Sequence, residues 1–485
     1  MRLLLIFLLS FSILTASAQK NNADSKTRML QVENSLAPDV IFGDTIPKLN
    51  LQKQMIAHHT KGVSIAVIKD YKIDWAKGYG WADENEKRPV NTETRFQAAS
   101  ISKSINSLAQ LKLVQQGKID LYADINNSLK TWKFPYDSLS GNKKISLANL
   151  LSHSAGLSVH GFGGYTPGDS IPTIVQILNG ERPANSPAIR SLFEPSKKYQ
   201  YSGGGTTIAQ LILTDITGMR YEEYLKREVL DPIGMTNSSY QQPPAADVKN
   251  LATAYYADGR EAKGKYHVYP EQAAAGLWTT PTDLSKYIIE TQLEYEGKSA
   301  KVLSQQMMQK RLTAYVDSSV GLGIFLVNKK GEMYFNHNGG NEGFLSTYYG
   351  SFKGGNGVVV MINNDDFGII PEIVNSVAMV YGWKDFYQPV FKKVVTLSKE
   401  TMTKYVGNYL LGTDTLSIKF CDDQLCIRQN NQPANGLKMI FSNETQFTAK
   451  EIPGIIVTVL FDSSQKVEGL EVNEGGTKTK ANKIN

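Results

Sequence analysis

Apolar positions along the chain change rhythm three times. Between Gly62 and Ile68 the run Gly-Val-Ser-Ile-Ala-Val-Ile is β-rich. Lys69-Asp70-Tyr71-Lys72 is a polar turn, and Ile73 to Gly80 returns as the partner of a predicted hairpin. From Ser100 the spacing becomes helical: Ile101, Ile105, Leu108 and Leu111 share a face, and Gly117 supplies a stop. The stretch 120–310 reads as helix and loop, and its glycine- and proline-rich part, Val159 to Pro187, reads as a surface excursion near a site. Strand patterns return at Gly321–Val327, Met333–His337, Phe344–Tyr349 and Gly357–Ile362, followed by a helix over Ile369–Tyr381. Strands at both ends with helices between them predict an α+β domain over 45–390. Its antiparallel sheet is completed by both ends of the segment and flanked by helices.

After residue 395 the pattern changes again. Tyr405–Leu411, Thr415–Cys421, Leu425–Gln429, Gln446–Lys450, Ile455–Phe461 and Val467–Val472 read as short strands separated by turn residues. They predict a second, all-β domain over 395–485, a small barrel or sandwich that carries no catalytic constellation. At the other end, Arg2, the apolar run Leu3–Leu9 and Ala16-Ser17-Ala18 have the form of a cleaved signal peptide over 1–18. The run is too short to span a bilayer, and no later stretch is apolar enough to do so. A periplasmic or secreted protein is expected, with 19–44 as an extended lead-in.

Composition narrows the function. The 485 residues are 41% apolar and 20% charged, with a formal net charge of +6 and no basic block that would track phosphates, so nucleic acid is not an expected partner. The only cysteines, Cys421 and Cys426, flank a predicted hairpin tip. Two packed thiols are expected there in preference to a cross-hairpin disulfide.

Several chemistries are absent. No His-Glu-x-x-His zinc helix, Cys-x-x-Cys ribbon or Gly-x-Ser-x-Gly elbow occurs, and Gly297-Lys298-Ser299 lacks a glycine at position 292 for a phosphate loop. No metal or cofactor is called for. What remains is Ser100-Ile101-Ser102-Lys103. Ser-x-x-Lys also occurs at Ser17, Ser140 and Ser463, so the spacing alone selects nothing. Ser100 differs by its place at a predicted strand-to-helix transition. There a serine and lysine three apart share a face, and the helix N-terminus adds a positive end. A lysine withdrawn from water loses basicity and can take a proton from serine.

Two further motifs follow in order: Tyr201-Ser202-Gly203-Gly204-Gly205 and His337-Asn338-Gly339-Gly340. Supporting segments are Leu150–Leu157, Asp231-Pro232-Ile233-Gly234-Met235 and Ala275–Leu284. Over residues 45–385 this set resembles the serine β-lactamase and penicillin-binding-protein superfamily, in its class C-like branch. The tail is similar to the lipocalin-like β-barrel appended to some exported members. The resemblance implies a β-lactamase/transpeptidase-like fold and a covalent acyl-enzyme mechanism on a small ester, amide or peptide. It implies Ser100 as nucleophile, with Lys103 and Tyr201 sharing general-base and acid work, Lys103 supplying the cation that would let tyrosine act as a base. It further implies His337 and Gly339 as the strand wall, and the backbone N–H groups of Ser100 and Gly340 as an oxyanion hole, each donor worth on the order of 3 kcal/mol.

Two positions depart from the β-lactamase pattern. Gly203 stands where that pattern has Asn, removing an amide that would bond a substrate amide. His337 stands where it has Lys, replacing a permanent cation for a substrate carboxylate. The departures favour an esterase or related acyl transferase first, a D-amino-acid peptidase such as a D-Ala-D-Ala carboxypeptidase second, and a true β-lactamase third. A non-turnover penicillin-binding or sensor module is the rival from another class. His153 is expected as a structural hydrogen-bonder. His58, His59, His160 and His267 are expected as surface or loop residues.

Overall fold

The strand Gly357–Ile362 is buried at every position, and its side chains divide between two cores. Val358, Val360 and Ile362 enter one, while Val359 and Met361 enter the other. This strand sits at the centre of a seven-stranded sheet, which explains why Gly-Val-Val-Val-Met-Ile lacks the polar alternation of a half-exposed strand. The sheet order is Arg88–Pro89, Lys72–Asp83, Gly62–Lys69, Gly357–Ile362, Phe344–Ser351, Glu332–Asn341 and Phe325–Lys329, with every neighbour antiparallel. Strands from both ends of the domain therefore meet in its middle, as the sequence predicted.

One face of the sheet is covered by the helices Leu51–Ala57 and Ile369–Val380, through Met55, Ile373 and Val377. The other face packs against the central region, including the helix Pro281–Tyr295 through Leu284, Tyr287 and Ile288. That helix is started by Thr280, whose side chain accepts the Asp283 N–H, and by Pro281 in its first turn. Asp283 in turn accepts the Asn237 N–H and the Ser238 hydroxyl, tying two of the family-like segments together.

The structure is a computed structural model and describes residues 23–430 and 436–484. The expected signal peptide, 1–18, lies outside the described residues. Two compact units result. The first runs through Ala37 and then from Lys48 to Tyr387; the second comprises Pro38–Pro47 and Gln388 onward.

In the second unit eight strands close into a barrel: Gly407–Leu411, Asp414–Cys421, Gln424–Gln429, Leu437–Phe441, Gln446–Ala449, Ile452–Phe461, Val467–Glu474 and Thr477–Lys483. Closure is made by Tyr409 opposite Lys483 and Leu410 opposite Asn482. Tyr409, Ile418, Leu425 and Leu470 fill its interior.

Several expectations are corrected. The stretch 19–44 is not an extended lead-in: residues 23–33 are helical, with Val32 in the same core as Val358 and Val360 and Arg28 paired to Asp74. The strand expected from Gly321 starts at Phe325, because Gly321–Ile324 is folded into a tight connection in which the Gly321 N–H reaches the Ile324 carbonyl. Tyr405 ends a helix, Lys399–Tyr405, instead of opening a strand. Cys421 and Cys426 are a disulfide, not packed thiols. Cys421 lies opposite Gln424, so Cys426 falls two residues on along the same face, with a Cα separation of 5.8 Å that suits a bridge. Among the described residues no helix is long and apolar enough to cross a membrane.

Candidate active site

Ser100 lies in a turn of 3₁₀ helix, Ala99–Ile101, that runs directly into the helix Ser102–Gln115. Ala99 holds a positive φ of 48°, a conformation L side chains rarely adopt, so the turn is imposed by what surrounds it. Three contacts impose it. The Ala98 N–H donates to the Leu277 carbonyl at 2.8 Å. The Ser346 hydroxyl donates to the Ala98 carbonyl at 3.1 Å. Asn341 Nδ2 donates to Gln97 Oε1 at 2.7 Å and to the Ala275 carbonyl at 3.1 Å. Ser102, the inner serine of the tetrad, serves the scaffold: its hydroxyl accepts the Leu277 N–H at 3.0 Å.

Through Leu111 the helix that follows is buried on all sides, not on one face. Its polar side is met by buried partners. Tyr348 donates to Ser104 Oγ, Tyr221 donates to Asn106 Oδ1, and the fully buried Arg311 donates to the Ser104 carbonyl at 2.8 Å and Ser107 Oγ at 2.9 Å. Nothing in the apolar spacing pointed to this polar packing.

One helical turn from Ser100, Lys103 is 4% exposed. Its Nζ lies 3.0 Å from Ser100 Oγ, donates to the Ala274 carbonyl at 2.7 Å and stands 5.0 Å from the centre of the Tyr201 ring. Burial draws its pKa down to about 7, since no carboxylate compensates the lost hydration.

Tyr201 ends an extended segment before the helix Gly203–Thr217. Ser202 caps that helix by accepting the Gly205 N–H at 2.9 Å and is held in place by donating to the Ser158 carbonyl at 2.7 Å. The glycines have a reason: a Cβ on Gly204 would stand 2.8 Å from Ile189, and one on Gly203 3.0 Å from the His160 carbonyl oxygen. The His160–Phe162 segment thus occupies the space that the Asn of the β-lactamase pattern would need. Burial pushes Tyr201 up to about 12, with the hydrogen bond of Ser100 acting in the opposite direction. Burial thus moves the two groups in opposite senses, Lys103 down to about 7 and Tyr201 up to about 12.

The third motif lies on the strand Glu332–Asn341. The edge strand pairs with it only as far as Asn336, opposite Phe325, so from His337 onward one edge has no strand partner among the described residues. That free edge, with Gly339 and Gly340, forms a wall of the cavity. A Cβ on Gly339 would lie 2.1 Å from the Ala98 carbonyl oxygen, so only glycine lets the strand approach the Ser100 turn this closely. His337 is 3% exposed, and its Nδ1 lies 2.6 Å from the Asn338 carbonyl. Burial and then the charge of Lys103 bring its pKa down to about 3, so it is neutral.

Ser100, Lys103, Tyr201, His337, Gly339 and Gly340 all line one cavity of about 660 Å³. Gly203 lies behind it, against the His160–Phe162 segment. Two histidines need comment. His153, expected as structural, accepts the Ser202 N–H on Nδ1 at 3.2 Å, and its ring packs 4.2 Å from that of Tyr201. His160, expected as a motif-free loop residue, lines the cavity with its ring 4.8 Å from Tyr201. Phe162 and Phe325 are further wall residues without a predicted role. The only signal for the first was its place in the glycine-rich excursion.

Comparison with known proteins agrees with this fold. Residues 48–368 match the family described as Beta-lactamase. Protein flp of Staphylococcus aureus (strain MRSA252) is 27% identical over 346 residues, and the aligned region covers 68% of this chain and 64% of that relative. A putative penicillin-binding protein PbpX of Bacillus subtilis (strain 168) is 26% identical, over 64% of this chain and 74% of its own length. The octameric penicillin-binding protein homologue from Pyrococcus abyssi shares the fold with a TM-score of 0.62 at 20% identity, covering 89% of this chain and 98% of that one. A class C β-lactamase does so with a TM-score of 0.56 at 19% identity, covering 74% and 97%. The family match encloses all three motifs gathered around the cavity, from Ser100 to Gly340, and the chain belongs to the β-lactamase family.

Proposed function

We propose that this protein is an exported serine hydrolase that cleaves a small ester, or a related acyl compound, through a covalent acyl-Ser100 intermediate. The observation that carries this reading is the 3.0 Å approach of a buried, near-neutral Lys103 to Ser100 Oγ. Ser100 Oγ attacks the substrate carbonyl and its proton passes to Lys103. The oxyanion is held by the backbone N–H groups of Ser100 and Gly340. Tyr201, still protonated, donates to the leaving oxygen or nitrogen and recovers a proton from Lys103. Water then attacks the acyl-enzyme and gives its proton to the same pair, releasing the acid and Ser100. Export is supported by the pattern Arg2, Leu3–Leu9, Ala16-Ser17-Ala18.

Amide cleavage is the second reading. It is supported by the likeness to the D-amino acid amidase from Ochrobactrum anthropi (TM-score 0.55, 21% identity, covering 68% of this chain and 96% of that one). The test is burst and steady-state kinetics on p-nitrophenyl esters, D-Ala-D-Ala peptides and a chromogenic cephalosporin. Ester turnover above the other two, lost in Ser100→Ala and Lys103→Met, is expected. Equal rates in Ser100→Ala would remove the proposal, and a burst without turnover on all three would favour the non-turnover module.

A further inference from the structure

The cavity that holds Ser100 is almost free of fixed charge. Among the described residues no Asp, Glu or Arg lines it, and the one lysine that does, Lys103, is engaged with Ser100 Oγ and the Ala274 carbonyl. His337 is neutral, with its Nδ1 against the Asn338 carbonyl. The walls combine aromatic rings with neutral polar side chains, those of Ser319, Asn336, Asn338 and Asn341. The Phe325 ring lies nearly parallel to Tyr201, 12° between planes at 6.4 Å, and 5.0 Å from His337. Phe162, Tyr199 and Phe367 extend the same surface. About 660 Å³ is room for a ring-bearing acyl group.

Resting on the acyl-Ser100 reading, we infer that this site selects uncharged substrates with an aromatic or apolar acyl group and rejects those whose acyl group carries a carboxylate. A carboxylate entering the cavity would give up water and find no cation free to pair with it. An ammonium group likewise finds no carboxylate in the lining to pair with. The selectivity thus arises from what the wall lacks and not from a dedicated recognition group.

The test uses three p-nitrophenyl esters of phenylacetic acid that differ only at the para position of the acyl ring: methoxycarbonyl, carboxylate and aminomethyl. Rates are measured at pH 8 with the full chain, and acylation of Ser100 is followed by mass spectrometry. The neutral ester is expected to exceed the carboxylate in kcat/KM by about 30-fold or more and to exceed the ammonium ester by a smaller factor. His337→Lys, which restores a wall cation, is expected to narrow the neutral-to-carboxylate ratio by at least about tenfold. Should that variant fail to fold, the wild-type ratios decide alone. Comparable rates for the neutral and carboxylate esters, or a preference for either charged ester, would overturn the inference while leaving the nucleophile intact. Absence of any acyl adduct on Ser100 would overturn the reading beneath it as well.

Discussion

Nζ of Lys103 lies 3.0 Å from Oγ of Ser100. The same nitrogen donates to the Ala274 carbonyl and meets no carboxylate, so burial acts on it unopposed and its pKa falls to about 7. A base must be unprotonated, so kcat/KM should rise tenfold per pH unit below about 7 and level off above about 8. Tyr201, pushed up to about 12, adds no falling limb up to pH 10. His337, at about 3, adds no inflection near the usual histidine value. A pH–rate profile on a neutral ester checks all three statements.

The same lysine makes stability depend on pH. In the unfolded chain Lys103 binds its proton up to its ordinary value of 10.5; in the folded chain it releases it near 7. Between these values the unfolded state holds more protons, so raising pH stabilises the fold. The wild type should gain up to about 1.4 kcal/mol per pH unit relative to Lys103→Met between pH 7.5 and 10. Urea unfolding of both proteins across that window measures it. A stability difference independent of pH would contradict the buried, depressed lysine.

Gly339→Ala tests the close approach of the strand to the Ser100 turn. Its Cβ would sit 2.1 Å from the Ala98 carbonyl oxygen and 2.5 Å from Ser346 Oγ, so the strand must move away from Ser100. Loss of the oxyanion geometry should lower kcat by about 100-fold with a smaller change in KM. Steady-state kinetics at the pH plateau reads this out.

The three motifs that meet at the cavity were legible because they answer backbone demands as well as chemical ones. Ser202 caps a helix, Gly204 avoids Ile189, and Gly339 avoids Ala98. Such demands leave residue types at fixed places in a motif. The central strands were legible from runs such as Gly357–Ile362, which is buried on both faces. The wall at His160, Phe162 and Phe325 was not, since residues brought in by a loop or an edge strand show no period that reports their destination. Thr477–Lys483 was missed as a strand because only Ala481 in it is buried, so the segment shows no apolar alternation. Arg311 was missed because its partners, the Ser104 carbonyl, Ser107 and Tyr287, lie far away in sequence.

Arg311 offers its own test. It is fully buried, and its guanidinium donates to the Ser104 carbonyl, Ser107 Oγ and Tyr287 Oη, with no carboxylate among these partners. Arg311→Met should remove these three buried hydrogen bonds and cost about 3 kcal/mol. A fall in the urea midpoint at unchanged m-value checks this. A neutral effect would mean that water replaces the guanidinium.

The most direct test of the nucleophile is covalent. The full chain is treated with a fluorophosphonate probe at pH 8, digested, and the labelled peptide sequenced by mass spectrometry. One adduct is expected, on Ser100, abolished in Ser100→Ala and slowed by about 100-fold or more in Lys103→Met. Labelling at another serine, or equal labelling of Ser100→Ala, would contradict the account.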